Sequence, residues 1–214
     1  MFKGVIFDMD GTIVDSEALY FELACQILES HGYRLPHDVF IATSGVSREE
    51  GARIYSQTFP TLDGERDVMD ALDAAYAQAL LDHRLKLKNG FLSLMARLKE
   101  KRIPVALASS NIAEAVENSL RAVDLTETFD YVIHAGHVQR VKPFPDLFLK
   151  AAADMGLKPE ECLVLEDSEP GILAAAAAGI PAILIPDIYP VSQQMRQLSF
   201  RVLPSLADVE AFFS

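Results

Sequence analysis

Apolar residues along this chain fall into two rhythms. Val5-Ile6-Phe7, the stretch 104–108 (PVALA), Tyr131-Val132-Ile133, 162–165 (CLVL) and 182–185 (AILI) are short continuous apolar runs. That is the pattern of strands buried on both faces of a parallel sheet. Between them the spacing changes to that of helices. Phe91, Leu94, Met95 and Leu98 form one stripe, and a second helix is expected from near Asn111, where Glu114 stands in position for a capping-box start. Two more are predicted over 146–155 and 170–178, the latter with Pro170 in its first turn and Gly179 at its end. Residues 200–203 read as an edge strand before a terminal helix. Strands alternating with helices predict an α/β protein, a Rossmann-like parallel sheet in a three-layer α/β/α core.

One stretch breaks the alternation. From 16 to 84 the apolar positions follow helical spacing alone: Leu19, Leu23 and Ile27 beside Tyr20, Ala24 and Leu28, then Val68, Met69, Leu72, Ala75, Tyr76, Ala79 and Leu80. Between these stripes, residues 44–49 (SGVSRE) read as a polar loop leading into a short helix that ends by Phe59. The expected organisation is a core of 1–15 and 86–214 with a helical cap, 16–85, inserted after the first strand. Junctions near 15–16 and 85–89 are the expected hinges.

Composition narrows the function. The chain has 214 residues, enough for one large domain with an insertion, and its formal net charge of −12 argues against a nucleic-acid-binding surface. No apolar stretch is long enough to span a membrane; the alanine-rich run 172–180 is too short. The N-terminus shows no basic segment followed by an apolar one, so no signal peptide is expected. Cys25 and Cys162 lie in apolar-periodic segments and read as reduced core residues. These features predict a cytoplasmic protein without membrane or nucleic-acid partners, and a monomer, since no coiled-coil pattern is evident.

Ligands of open parallel sheets bind beyond the carboxyl ends of the strands, so the residues following each strand are the candidates for chemistry. The first strand runs into Asp8-Met9-Asp10-Gly11-Thr12, the second into Ser109-Ser110-Asn111, the 162–165 strand into Glu166-Asp167-Ser168, and the loop after Tyr131-Val132-Ile133 reaches Val141-Lys142-Pro143. Four carboxylates at two strand ends repel one another unless a cation lies between them. A set of oxygens without His or Cys favours Mg²⁺ over zinc. Ser109 at a helix start and Lys142 supply donors and charge for an anion such as phosphate. The histidines, His31, His37, His83, His134 and His137, are scattered and pair with no candidate nucleophile or metal set. Cation, phosphate cradle and a carboxylate able to attack phosphorus together describe phosphoryl transfer.

These motifs, in this order, resemble the haloacid dehalogenase superfamily, in its phosphohydrolase branch with a helical cap. The resemblance covers essentially the whole chain. It implies that Asp8 is a nucleophile forming an aspartyl-phosphate, and that Asp10 is the general acid for the leaving alcohol and then the base for water. It implies Mg²⁺ bound by Asp8, the backbone carbonyl of Asp10 and Asp167, with Glu166 in or beside that set. Ser109, Ser110 and Lys142 would hold the phosphoryl oxygens. Asp at position 10 argues against dehalogenation, which needs no acid/base there.

Within the superfamily the chain is similar to β-phosphoglucomutases and their sugar-phosphatase relatives, through Gly45-Val46-Ser47-Arg48-Glu49, Val105 to Ser109, Lys142-Pro143 and Leu165-Glu166-Asp167-Ser168. By that likeness Ser47 and Arg48 would contact the substrate from the cap, against the plainer reading of Arg48 as a surface partner of Glu49 or Glu50. Two departures separate it from the mutases. Tyr20 or a neighbour occupies the place of their histidine on the first cap helix. The later cap helix lacks their lysine, and no lysine lies between Lys3 and Lys86. A cap poor in positive charge suits a small monophosphate, so the expectation is a Mg²⁺-dependent sugar-phosphate phosphatase, with β-phosphoglucomutase as the alternative.

Overall fold

Four consecutive apolar residues, Gly4–Phe7, form β1, buried along its whole length. A strand so covered needs a paired neighbour on each side, because no water reaches its backbone. β2 (Val105–Ala108) flanks it with Val5 opposite Val105, and β4 (Cys162–Glu166) with Val5 opposite Leu163. Beyond these lie β3 (Tyr131–Ile133), β5 (Ala182–Leu184) and β6 (Arg201–Val202). Among the described residues the sheet has six strands in the order β3-β2-β1-β4-β5-β6, all pairings parallel. The computed structural model describes residues 2–43, 48–59 and 65–213, with 48 and 65–67 by their backbone alone.

The strand order reverses between β1 and β4. The chain leaves β1 toward β2 on one side and returns to β4 on the other, so crossovers lead away from that point and a crevice opens at the carboxyl ends. Sequence reading placed these strands correctly; β6 is shorter than the 200–203 expected for it.

The chain divides into two compact units, Met1–Asp15 with Lys86–Ser214, and Ser16–Leu85. In the first, alternate strand residues bury into opposite layers. Ile6, Ala106, Val164 and Leu184 share a core with Leu147, Phe148, Ala151, Ile172, Ala174 and Ala175. Phe7 faces the other way, edge-on to Phe91 (ring centroids 5.8 Å) and to Phe129 (6.0 Å). Within the second unit run α1 (Ser16–Ser30), α2 (His37–Thr43), α3 (Arg48–Thr58) and α4 (Glu65–Leu81); the first unit carries α5 (Phe91–Glu100), α6 (Ala113–Ala122), α7 (Asp146–Asp154), α8 (Glu169–Ala178) and α9 (Gln193–Leu198). On α1 and α4, Tyr20 and Tyr76 stack with ring centroids 4.0 Å apart and planes 12° from parallel.

Several expectations need correction. α2 was not foreseen, since a single turn of apolar residues gives too short a periodic signal. Residues 48 and 49, expected in a loop, begin α3, while 44–47 lie outside the described residues. α6 starts at Ala113, its N-cap is Ile112, and that cap makes no side-chain hydrogen bond, so the capping box at Asn111–Glu114 does not form. The terminal helix is a 3₁₀ segment, Leu206–Phe213. Nor are the histidines all scattered: His134 and His137 lie with ring centroids 3.7 Å apart, each ring accepting a backbone N–H at the short turn after β3.

Candidate active site

Asp8 follows β1 directly and is 7% exposed, its N–H donating to Leu165 O of β4 at 3.0 Å. The chain then turns sharply: Gly11 N–H donates to Val14 O, and Ile13 N–H to Met9 O. Gly11 has φ +75, and a Cβ there would lie 2.3 Å from Asp167 Oδ2. Both the backbone sign and the close approach therefore require glycine. Beside it Thr12 Oγ1 donates to Asp167 Oδ1 at 3.3 Å, tying the first strand end to the fourth.

At the end of β4, Glu166 is fully buried and Asp167 nearly so. Glu166 Oε2 accepts from the N–H (2.6 Å) and the Oγ (2.9 Å) of Ser168, and Ser168 in turn caps α8 by accepting from Gly171 N–H. The start of α8 is thus shaped around the glutamate. A Cβ on Gly171 would lie 1.7 Å from Glu166 Oε1, so only glycine fits. At the other end of β4, Cys162 is a buried free thiol whose pKa burial pushes up to about 11.

Lys142 reaches this cluster from the loop after β3. Its ammonium donates to Asp8 Oδ1 and, at 2.7 Å, to Glu166 Oε1, and sits 4.9 Å from the centre of the Phe148 ring. Asp8, Glu166 and Asp167 each bring an oxygen within 4.8 Å of the others. Three buried carboxylates around one lysine leave excess negative charge. Burial, then repulsion from Glu166 and Asp10, raises the Asp8 pKa to about 7 against the pull of Lys142. Burial and repulsion from Glu166, Asp8 and Asp187 raise Asp167 well above the usual carboxylate range. Burial works against the Lys142 charge, but Asp8 and Glu166 outweigh it and raise its pKa.

The end of β2 completes the cluster. Ser109 is buried, with its N–H on Ile133 O and its Oγ accepting from Asn111 N–H at 3.1 Å. It stands four residues before α6 rather than in its first turn. Ser110 is exposed. Asn111, read in the sequence only as a helix start, donates its Nδ2 to Asp10 Oδ2 at 2.8 Å. The two aspartates of the first motif therefore have different partners, Asp8 the lysine and Asp10 the amide. The available signal for Asn111 was its place, third after a buried strand beside two serines. Ser47 and the Arg48 side chain lie outside the described residues; Glu50 pairs with Arg53 at 2.5 Å.

A sequence model described as haloacid dehalogenase-like hydrolase matches residues 5–185, most of the chain and every motif at the strand ends. The chain belongs to the haloacid dehalogenase-like hydrolases. Among curated relatives, this hydrolase is 32% identical to the phosphorylated carbohydrates phosphatase of Thermotoga maritima, over 85% of this chain and 83% of that one. It is 33% identical to the fructose-1-phosphate phosphatase of Escherichia coli, over 85% of this chain and 95% of that one. Among solved structures it superposes on a haloacid dehalogenase family hydrolase from Deinococcus radiodurans, crystallised with bound phosphate and sodium. That match has a TM-score of 0.86 and 26% identity, and covers 99% of this chain and 94% of that one.

Whether the hydrolase's own residues suit a divalent cation follows from their chemistry. The clustered donors are all carboxylate oxygens, buried, closely spaced and carrying more charge than Lys142 neutralises. A small hard cation is the ligand such a set favours. The residues fit. No helix among the described residues is long and apolar enough to cross a membrane.

Proposed function

We propose that this haloacid dehalogenase-like hydrolase is a Mg²⁺-dependent phosphatase of a small phosphorylated metabolite, a sugar or sugar-alcohol phosphate, working through an aspartyl-phosphate on Asp8. The observation that carries the reading is the convergence of Asp8, Lys142, Glu166 and Asp167 in one buried cluster, with Asp10 beside it on Asn111. The names of the two phosphatases above point to phosphorylated sugars.

Asp8, the backbone carbonyl of Asp10 and Asp167 would hold the ion, with Glu166 beside them. When bound, Mg²⁺ neutralises charge on the carboxylates and on the phosphoryl oxygens. An Asp8 oxygen attacks phosphorus as the ester P–O bond breaks, and Asp10 delivers a proton to the leaving alcohol oxygen. Water then attacks the aspartyl-phosphate, Asp10 takes its proton, and inorganic phosphate leaves. Lys142 keeps Asp8 aimed and balances charge on the transferring group, with Ser109 and Ser110 donating to its oxygens. The amide of Asn111 holds Asp10 in one orientation between its two proton transfers. In the helical unit, Ser47 and Arg48 are the proposed substrate contacts.

The test is phosphate release by the full chain from an aryl phosphate and a panel of hexose and hexitol phosphates, with Mg²⁺ or with EDTA. Expected are Mg²⁺-dependent turnover and a loss of roughly 10⁴-fold or more in Asp8→Asn. Wild-type turnover in Asp8→Asn would overturn the nucleophile. With β-glucose 1-phosphate the expected product is inorganic phosphate; glucose 6-phosphate in its place would establish a mutase.

A further inference from the structure

One buried carboxylate near the cluster takes no part in the chemistry above. Asp187 follows β5 in the loop Ile185-Pro186-Asp187, which is held to the sheet where Ile185 N–H donates to Glu166 O at 2.7 Å. Its side chain is 8% exposed. Oδ1 accepts from Lys88 Nζ at 2.5 Å, and Lys88 also pairs with Asp15 at 3.4 Å while its own N–H donates to Ile13 O. Oδ2 is buried and has no hydrogen-bond partner among the described residues.

The direction of that oxygen matters. A Cβ built on Gly11 would lie 3.1 Å from Asp187 Oδ2 and 2.3 Å from Asp167 Oδ2. The two carboxylates therefore meet over the same glycine, at the edge of the cluster formed by Asp8, Glu166 and Asp167. Lys88 balances only part of this charge, since Asp15 shares it. A buried carboxylate oxygen without a donor is costly, and a like-charged neighbour raises the cost. What would offset both is positive charge and a hydrogen-bond donor between Asp167 and Asp187. A hydrated cation supplies the two together.

We infer that Asp187, held in place by Lys88, is a further carboxylate of the cation site, its Oδ2 accepting a hydrogen bond from water carried by the ion that Asp8 and Asp167 bind. This rests on the cation site proposed above and extends it to the fifth strand end. Partners of this kind orient a site and raise its affinity without being ligands themselves, and their loss weakens metal binding roughly 10- to 100-fold. Asp187 is a positioning residue, and the salt bridge to Lys88 is what aims it.

The experiment is titration of the full chain with Mn²⁺, read from the electron paramagnetic resonance signal of the free ion, in wild type, Asp187→Asn, Asp187→Ala, Asp15→Asn and Asp167→Asn. Melting curves in EDTA confirm that each variant is folded. The expected result is a Kd raised roughly tenfold or more in both Asp187 variants and unchanged in Asp15→Asn, which shares Lys88 but contributes nothing to the cluster. Unchanged Mn²⁺ affinity in the Asp187 variants, with binding lost in Asp167→Asn, overturns the role of Asp187 and leaves the cation site standing. No Mn²⁺ binding by wild type overturns the cation site itself.

Discussion

The strand ends of the core unit and the interior of the helical unit bury different things. The core keeps Asp8, Thr12, Ser109, Glu166 and Asp167 out of water, each with a partner across the crevice or along its own turn. The described part of the helical unit buries one polar residue, Ser16, at its first position; otherwise its interior is Leu19, Leu23, Leu28, Phe40, Tyr55, Leu72 and their neighbours. Its charged residues pair at the surface, as Arg84 does with Glu22 at 3.0 Å. The contrast separates two kinds of constraint. Buried like charges tolerate little change in position, because each relies on a particular partner in a low-dielectric site. An apolar helix interior asks only for volume and spacing, so it tolerates substitution more readily.

The largest effect expected on this contrast is Gly171→Ala. The added methyl would overlap Glu166 Oε1, so the helix start or the glutamate must move; a loss of about 3 kcal/mol in denaturant unfolding is expected, with lower Mg²⁺ affinity. Wild-type stability would show the strand ends to be as forgiving as the helical interior.

Next is Asn111→Ala, which removes the 2.8 Å hydrogen bond to Asp10. Loss of the amide that orients Asp10 should lower kcat roughly 10- to 100-fold, with a smaller loss of stability from the missing hydrogen bond to a charged group.

A third test uses pH. On the protein's own charges Asp8 titrates near 7 when folded, against 3.8 in its ordinary state. Between those values the folded state holds more protons than the unfolded one. The stability linked to Asp8 is therefore full below about pH 4 and lost as pH rises toward 7, with a slope up to about 1.4 kcal/mol per pH unit per proton. Urea unfolding in EDTA should show that decline. Added Mg²⁺ should flatten it and raise stability at pH 7. A slope unaffected by Mg²⁺ would count against the carboxylates as the ion's ligands.

The smallest effect belongs to the helical unit. Tyr20→Leu breaks the stack on Tyr76 but keeps an apolar side chain; a cost of about 0.5–1.5 kcal/mol in thermal unfolding is expected. A loss larger than that of Gly171→Ala would reverse the comparison.

Local pattern alone determined much of this protein. Continuous apolar runs located the strands, because a parallel strand is covered on both faces. The break to helical spacing after residue 15 marked the insertion. The polar residues after each run, Asp8, Asp10, Ser109, Lys142, Glu166 and Asp167, were legible because the carboxyl ends of a parallel sheet share one edge. Tertiary structure decided the rest. Asn111 left its expected cap to hold Asp10, a choice between two hydrogen bonds that only the neighbouring strand end could settle. Asp187 carries no motif, and its place beside Asp167 comes from β5 lying next to β4. Gly11 lies in a turn and Gly171 at a helix start, and local pattern alone assigns neither a role. They are required because carboxylates far along the chain or across a turn occupy the space a side chain would need. Sequence spacing reports which way a residue faces along its own element, and distances between elements arise only when the sheet assembles.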